Sequence, residues 1–242
     1  MKSLGRYLMF MGRLFVNREP FKVYIRLFFD ECILIGIDSL VIVIIVSIFI
    51  GAVMAVQTAV NLVSPFIPDY VIGQIVREMT ILEVAPTFTA IVFAGKVGSN
   101  IAGGLGTMKI TEQVDALEVM GVNSASYLVL PKVLAGIVMY PMLVVISAFL
   151  AIYGGYLAGT LAGFLTEQEY IYGIRVDFME YTAFFALLKS FVFAFLIVSI
   201  SAYKGYHTEG GALEVGKAST SAVTNSCIAV LIADFFLAQL LV

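Results

Sequence analysis

Long apolar stretches with few or no charges alternate with short polar segments along the whole chain. The stretches at 39–61 and 133–166 contain no charged residue, and the second exceeds one bilayer thickness at about 1.5 Å per residue. Three more lie at 84–108, 181–203 and 218–242. About 20 apolar residues cross a bilayer as a helix, which satisfies its own backbone hydrogen bonds. The pattern therefore predicts an all-α integral membrane protein with five transmembrane helices.

The first 35 residues are mixed in character and predict an interfacial elbow region ahead of one membrane domain at 36–242. On a helix at about 100° per residue, the basic side chains of residues 1–18 lie within about 40° of one another, opposite apolar ones. That pattern is typical of a helix lying in the membrane surface. Residues 21–35 predict a second interfacial piece. The basic residues are Lys2, Arg6 and Arg13, and the apolar ones are Leu4, Leu8, Met11 and Phe15.

The region between the first two spans is interrupted by polar residues and prolines. Residues 64–69 predict a turn, because they hold two prolines and an aspartate. Residues 70–108 are too long for one simple span and contain Arg77, Glu78, Glu83 and Pro86. They predict a short re-entrant or broken helix followed by the span at 84–108.

A polar segment at 111–120 separates the second and third spans and predicts a short cytosolic helix. Thr111 suits its N-cap and Gly121 its C′ position. Ile110, Val114 and Leu117 share one face, which is too apolar for a free loop. Such a helix suits a groove in a partner protein, and the alternative is a solvated turn.

Composition supports a membrane protein and leaves no room for a soluble catalytic domain. Hydrophobic residues make up 61% and charged residues 13%, about half the charged share of a soluble domain. Cys32 and Cys227 lie in apolar surroundings at no metal-binding spacing, and we interpret them as small hydrophobic residues.

The positions of the basic residues predict the orientation. Six of the fourteen lysines and arginines lie in residues 1–26, and four others flank the second-to-third and fourth-to-fifth connections. By the positive-inside rule these segments are cytoplasmic. The N-terminus is then inside, whereas the acid-rich loop at 167–180 and the C-terminus are outside.

Two ionisable residues lie inside predicted spans, where an isolated charge is costly. Lys189 lies about 15 residues before the loop at 204–217 and Asp234 about 17 after it, so their depths agree. The sequence favours a functional role and a structural ion pair equally. Lys96 either lies in the membrane core or extends its amine to the surface.

Glycines in the third span suggest a packing surface, whereas a second glycine-rich segment does not indicate a nucleotide site. Gly155, Gly159 and Gly163 recur every fourth residue in the third span, which lets helices approach closely, within the chain or in a dimer. Residues 211–218 nearly match a phosphate-binding P-loop. Ala218 stands where the magnesium-binding hydroxyl is needed, so no nucleotide site is predicted there.

Several uncommon residue combinations are spread along nearly the whole chain. They are Glu83-x-x-Pro86, Ala94-Gly95-Lys96-x-Gly98, Leu105-Gly106-x-Met108, Thr111 to Glu118, Tyr127-Leu128-x-x-Pro131-Lys132-x-x-Ala135-Gly136, Gly205-Tyr206, Gly216 to Thr220 and Ala233-Asp234. These combinations closely resemble the MlaE/YrbE permease family, the membrane subunits of lipid-transporting ABC systems. Two positions depart from that pattern: Lys96 stands where the family usually has Arg, and Gly104 where it usually has Glu.

The resemblance implies an elbow helix plus five spans working as a homodimer in the bacterial inner membrane. It implies that a cytosolic ABC ATPase grips residues 111–120 as a coupling helix, and that an MCE-domain protein binds outside. The implied cargo is glycerophospholipid moved between inner and outer membranes, with ATP and Mg in the ATPase and no cofactor in this chain. The implied coupling residues are Glu112, Gln113, Asp115, Leu117 and Glu118, and the candidates for the lipid pathway or an intramembrane charge pair are Gln57, Glu83, Lys96, Asn100, Lys189 and Asp234.

Two other classes of protein remain open at this point. An ion-coupled secondary transporter or channel would use the intramembrane charges, but it predicts internal repeats and none is evident. A structural scaffold has no need of an apolar-faced cytosolic helix.

Overall fold

The computed structural model describes residues 2–14, 20–62 and 68–241. Within these residues the chain is helical, with no strand, and five helices are long and apolar enough to cross a membrane. They cover Lys22–Asn61, Tyr70–Ile110, Ser124–Leu161, Glu180–Tyr206 and Ala212–Leu240. The all-α fold with five candidate spans is therefore confirmed.

The helices are numbered in chain order, and three π-helical turns join five of them end to end. The first two spans contain those turns, at Ile33–Ile37, Thr80–Phe88 and Ala94–Gly98. The helices are α1 Lys2–Arg13, α2 Phe21–Cys32, α3 Asp38–Asn61, α4 Tyr70–Met79, α5 Thr89–Phe93, α6 Ser99–Ile110, α7 Gln113–Val119, α8 Ser124–Leu161, α9 Glu167–Arg175, α10 Glu180–Tyr206 and α11 Ala212–Leu241.

Two sequence-based boundaries differ from the structure because π turns keep the helices continuous. The helix runs from α2 into α3 without a break, so residues 21–35 do not form a separate piece. The predicted broken helix at 70–108 is also wrong, since helix continues from α4 to α6. Pro86 lies inside the π turn at Thr80–Phe88, where wider hydrogen bonding tolerates its missing N–H. Most of the predicted turn at 64–69 lies outside the described residues.

The chain divides into two compact units, each built from separated segments. The interfacial region at 1–35 and the single membrane domain at 36–242 stay predictions. The terminal unit consists of Met1–Ser39, Ala90–Tyr140 and Phe191–Val242, and the inner unit of Leu40–Thr89 and Pro141–Ser190.

In the terminal unit, α1 packs against the end of α10 with one face. Phe10 and Leu14 are buried, whereas Leu8 and Met9 are largely exposed. The Tyr7 hydroxyl and Ser199 Oγ lie 2.7 Å apart. The amphipathic helix predicted at the N-terminus is therefore present in the described residues, and Phe15 lies outside them. Its position in the membrane surface stays a prediction.

In the inner unit, α3 and α8 touch backbone to backbone at glycines. A Cβ on Gly51 would lie 1.8 Å from the Ala151 carbonyl oxygen, and a Cβ on Gly154 would lie 2.2 Å from that of Ile48. Only glycine fits at such contacts. The core beside them is formed by Ala55, Ile72, Val76, Leu165 and Tyr170.

A buried arginine joins α4 to the end of α9 in the inner unit. The side chain of Arg77 is 3% exposed and pairs with Glu78 at 2.8 Å. Its Nη1 donates to the carbonyl oxygens of Ile174 at 2.9 Å and Val176 at 2.6 Å. These bonds satisfy the charge, so Arg77 continues the helix instead of interrupting it.

Candidate functional site

The helix predicted at 111–120 is present as α7, but it is shorter than expected and starts differently. Thr111 follows the end of α6, and its Oγ1 donates to the Thr107 carbonyl at 2.8 Å. Glu112 precedes α7 with a φ of 62°, in the left-handed region. The prediction of Thr111 as N-cap is therefore wrong, because the chain turns sharply at Glu112 between two helices.

The C-terminal end of α7 confirms the predicted role of Gly121. Gly121 has a φ of 81°. Its N–H donates to the Glu118 carbonyl at 3.0 Å, and the Val122 N–H donates to the Leu117 carbonyl at 3.0 Å. These two bonds form a Schellman motif, which requires a left-handed residue at C′.

Three side chains fix α7 to the rest of the terminal unit. Val114 is fully buried, and Asp115 pairs with Lys109 at 2.5 Å. Glu118 Oε1 accepts hydrogen bonds from Ser124 Oγ at 2.8 Å and Tyr206 Oη at 3.1 Å. Two of the predicted coupling carboxylates therefore hold α7 in place.

The opposite side of α7 faces outward. Val119 is 89% and Met120 68% exposed, and Glu112, Gln113 and Ala116 are exposed beside them. We call these five residues the α7 outer face. Leu117 is only partly exposed, so it belongs to the margin of this face.

An aromatic cluster joins α1 to the same end of the terminal unit. The Phe10 ring lies 5.1 Å from Tyr206 and 5.2 Å from His207, centroid to centroid. Asn123, beside α7, donates to the Arg13 carbonyl at 2.9 Å. Burial raises the pKa of the Tyr7 hydroxyl, and its hydrogen bond with Ser199 offsets part of that rise. Sequence analysis missed this cluster because its members are about 190 residues apart.

A buried ion pair lies in the inner unit. The Lys189 side chain is 0% exposed, and its Nζ lies 2.7 Å from Glu83 Oε1 and 3.2 Å from the Leu82 carbonyl. It also lies 5.5 Å from the centre of the Phe185 ring. The Glu83 side chain is 48% exposed. The fully buried Lys189 is thus paired with Glu83, whose carboxylate is exposed on the side away from the lysine.

The other candidate residues lie in different places. Lys96 Nζ donates to the Asp38 carbonyl, which follows the first π turn. Asn100 is exposed on α6, and Gln57 lines a shallow apolar groove on α3. Asp234 lies on α11 and is partly buried. Lys189 and Asp234 belong to different units, and their predicted pairing stays a prediction.

The glycine series in the third span divides into two functions. A Cβ on Gly155 would lie 2.5 Å from the Tyr170 hydroxyl, and one on Gly159 would lie 3.2 Å from Leu165 Cδ1. Both therefore serve packing within the chain. Gly163 follows the end of α8 with a φ of 75° and no atom within 4 Å of a Cβ. It makes no packing contact within the described chain, and a dimer contact there stays a prediction.

Among the described residues, no group of three or more His, Cys, Asp or Glu side chains could hold a metal ion. The five candidate spans, the glycine contacts and the short α7 between two spans define a multi-pass helical membrane protein. The family model of Permease MlaE matches residues 28–240. The chain belongs to this family.

Individual relatives match along most of their length. A probable ABC transporter permease protein of Rickettsia bellii is 35% identical over 239 residues, 99% of this chain and 92% of that protein. One of Synechocystis is 32% identical over 230 residues, 95% of this chain and 87% of its own. The intermembrane phospholipid transport system permease protein MlaE of Haemophilus influenzae is 27% identical over 246 residues, 99% of this chain and 92% of that protein.

Proposed function

We propose that this chain is the permease subunit of an ATP-driven transporter that moves glycerophospholipid between the inner and outer membranes. The relatives named as ABC transporter permeases and the phospholipid-transport permease of Haemophilus influenzae support this proposal. The observation that carries it is the α7 outer face, which presents an acidic residue and two large apolar residues beside a rigid anchor.

The proposed assembly contains partners on both sides of the inner membrane. A cytosolic ABC ATPase binds the α7 outer face and supplies ATP and Mg, so this chain holds no cofactor and performs no hydrolysis. An MCE-domain protein binds on the periplasmic side, and a second copy of the chain completes a homodimer. The N-terminus is cytoplasmic and the C-terminus periplasmic.

The anchoring of α7 explains how force would reach the spans. Asp115 ties α7 to the end of α6 through Lys109, and Glu118 ties it to the start of α8 and the end of α10. A push on the outer face is therefore transmitted to three helices of the terminal unit at once. A free turn would absorb the same push by bending.

The Lys189–Glu83 pair is the observation that favours an ion-coupled transporter as a second candidate. A buried ionisable pair within spans is what proton or cation coupling uses. The two candidates differ in their energy source. Lipid movement that requires ATP and continues after the ion gradient is collapsed supports the first and excludes the second.

The test of the proposed function targets the outer face and leaves its anchors intact. We expect Glu112→Lys together with Met120→Ser to weaken binding of a co-purifying ATPase about 30-fold, since loss of an interface hot spot costs about 2 kcal/mol. Lipid-dependent ATPase stimulation in nanodiscs should fall with it. Reversing Asp115 would be less informative, because it would place a second cation beside Lys109.

The matched control is Glu209→Lys, which makes the same charge change at an exposed residue in the connection between α10 and α11. It should bind and stimulate like the wild type. Unchanged ATPase binding by the Glu112→Lys and Met120→Ser double variant would refute the coupling role of α7.

A further inference from the structure

A small cavity lies within the terminal unit, apart from α7 and from the Lys189–Glu83 pair. Its volume is about 220 Å³, the volume of about seven water molecules in the liquid. Val97, Ile101 and Leu105 are buried and form its floor on the second span. Asn100 and Gly104, which directly precede Ile101 and Leu105 in the sequence, are exposed and form its opening.

The cavity has one charged wall. Glu31 on α2 and Lys132 on α8 line it and form an ion pair, and their side chains are 17% and 18% exposed. Leu34 and Met108 add apolar surface near the opening. A mostly apolar cavity with two convergent charges matches the general form of a small-molecule site.

Gly104 keeps the cavity open. No atom lies within 4 Å of where its Cβ would be, so no packing contact within the described chain requires glycine at this position. The π turns at Ile33–Ile37 and Ala94–Gly98 supply Ile35 and Val97 to the wall. π turns inside α-helices are frequent at functional sites.

The cavity lies close to one end of the spans that line it. Lys132 is eight residues from the start of α8 at Ser124, and Glu31 is nine residues from the start of the first span at Lys22. At about 1.5 Å per residue, these separations are about 12 and 14 Å. The first span is 40 residues long, about 60 Å, which exceeds the full bilayer thickness of about 45 Å. The charged wall therefore fits the headgroup level of the leaflet on the α7 side.

We propose that this cavity binds the headgroup of a zwitterionic phospholipid with a primary ammonium group, taken from the leaflet on the α7 side. The ammonium binds Glu31 and the phosphate binds Lys132, while the acyl chains stay in the bilayer. The cavity is too small for a whole lipid, since pockets that enclose drug-sized ligands have about 300–1,000 Å³. This resident lipid is separate from the transported cargo of the proposed function.

Charge balance selects the headgroup. A zwitterion exchanges partners with the Glu31–Lys132 pair and leaves the partly buried site neutral, which low-dielectric surroundings favour. An anionic phosphatidylglycerol headgroup has no ammonium and would bring its phosphate close to the Glu31 carboxylate. A phosphatidylcholine headgroup has no N–H to donate to Glu31 and is bulkier.

The test measures lipid retained by the purified chain, without ATPase or ATP, so that its outcome does not depend on the transport proposal. Native mass spectrometry in mild detergent, with phosphatidylethanolamine added, should show one retained lipid per protomer at saturation. Binding of phosphatidylglycerol should be at least tenfold weaker. Gly104→Leu places a side chain in the cavity and should weaken phosphatidylethanolamine binding at least tenfold.

The matched control is Gly216→Leu, since Gly216 is also helical, exposed and free of neighbours within 4 Å, but does not line the cavity. It should bind like the wild type. A double variant, Glu31→Gln with Lys132→Gln, keeps the volume and should lose the preference for phosphatidylethanolamine over phosphatidylglycerol.

Three outcomes would overturn the proposal. One is unchanged retention in Gly104→Leu, and another is equal binding of both lipids by the wild type, a comparison that needs no variant. The third is competition by inorganic phosphate alone at millimolar concentration, which would show a soluble anion site. If the first outcome came with a change of oligomeric state, it would show that a second copy covers the opening.

Discussion

Glu83 and Lys189 experience different surroundings although they form one ion pair. Lys189 is fully buried, whereas nearly half of the Glu83 side chain is exposed. The Glu83 carboxylate is open on one side, whereas the Lys189 ammonium is enclosed by protein. The cost of breaking the pair therefore depends on which residue is removed.

This asymmetry gives a residue-scale prediction. Glu83→Leu should destabilise the protein by about 3–5 kcal/mol, because a charged Lys189 loses its carboxylate. Lys189→Met should cost less, about 1–3 kcal/mol, and the double variant should be more stable than Glu83→Leu alone. Unfolding in mixed micelles by SDS titration measures all three. Additive losses in the double variant would contradict a coupled pair.

A second double-mutant cycle tests the Lys189–Asp234 pairing that was inferred from matched depth. If it forms, Asp234→Leu should lower folded yield, and Lys189→Met with Asp234→Leu should recover part of that loss. Asp234→Asn, which keeps the shape and removes the charge, is the control for packing. A double variant as poor as the sum of the single ones would show that the charges act separately.

Among the elements, α9 begins with a capping box that is also recognisable in the sequence. Thr166 Oγ1 accepts from the Glu169 N–H at 3.3 Å, and Glu169 Oε2 accepts from the Thr166 N–H at 3.0 Å. The Thr-x-x-Glu spacing is the sequence signature of a capping box. The sequence analysis missed it, having assigned 167–180 to a loop on its polar composition.

The cap predicts a pH dependence. The hydrogen bond from the Thr166 hydroxyl, with that from its backbone N–H, lowers the pKa of the Glu169 carboxyl below 4.5. A lowered folded-state pKa means that the cap stabilises α9 fully above the ordinary pKa and is lost as pH falls through the lowered one. Amide exchange of the first turn of α9, corrected for intrinsic rates, should lose protection below about pH 4.5.

Thr166→Ala is the control for that measurement. It removes the hydroxyl that lowers the Glu169 pKa, so protection should already be weaker at neutral pH and should change less on acidification. An identical pH profile in this variant would show that Glu169 does not stabilise α9.

The elements that the sequence predicted well are those with strong local patterns. The apolar stretches gave five spans, and Gly121 marked the end of α7. The π turns were not predictable, since they have no comparable local pattern and join stretches that looked interrupted. Arg77 looked like such an interruption because its carbonyl partners at 174–177 lie about 100 residues away.

The candidate site was predictable only in part for the same reason. The polar character of α7 is local, but the contacts of Asp115 and Glu118 depend on Lys109, Ser124 and Tyr206. Lys189 was identified as costly at membrane depth, yet its partner Glu83 lies 106 positions earlier in the chain. Matching of depths compared Lys189 only with Asp234, on the next span, and so did not reach Glu83.

For the whole molecule, orientation is the largest remaining prediction. In a Cys32→Ala, Cys227→Ala background, Arg13→Cys should react with a membrane-impermeant maleimide only from the cytosolic side. Gln168→Cys should react only from the periplasmic side. Both positions are exposed, so access depends on sidedness, and lysed membranes serve as the control. Arg13→Cys labelling from the periplasm would reverse the topology and remove α7 from the ATPase side.

The discontinuous make-up of the terminal unit has a consequence for biogenesis. Tyr7 leaves the ribosome 192 positions before its partner Ser199, a delay of about 10 to 40 s at about 5–20 residues per second. During that interval α1 has no α10 to pack against Phe10. The inner unit, by contrast, is complete once Ser190 has been synthesised. Until α10 has been synthesised, the apolar face of α1 therefore has to be covered by the bilayer surface or by an insertase.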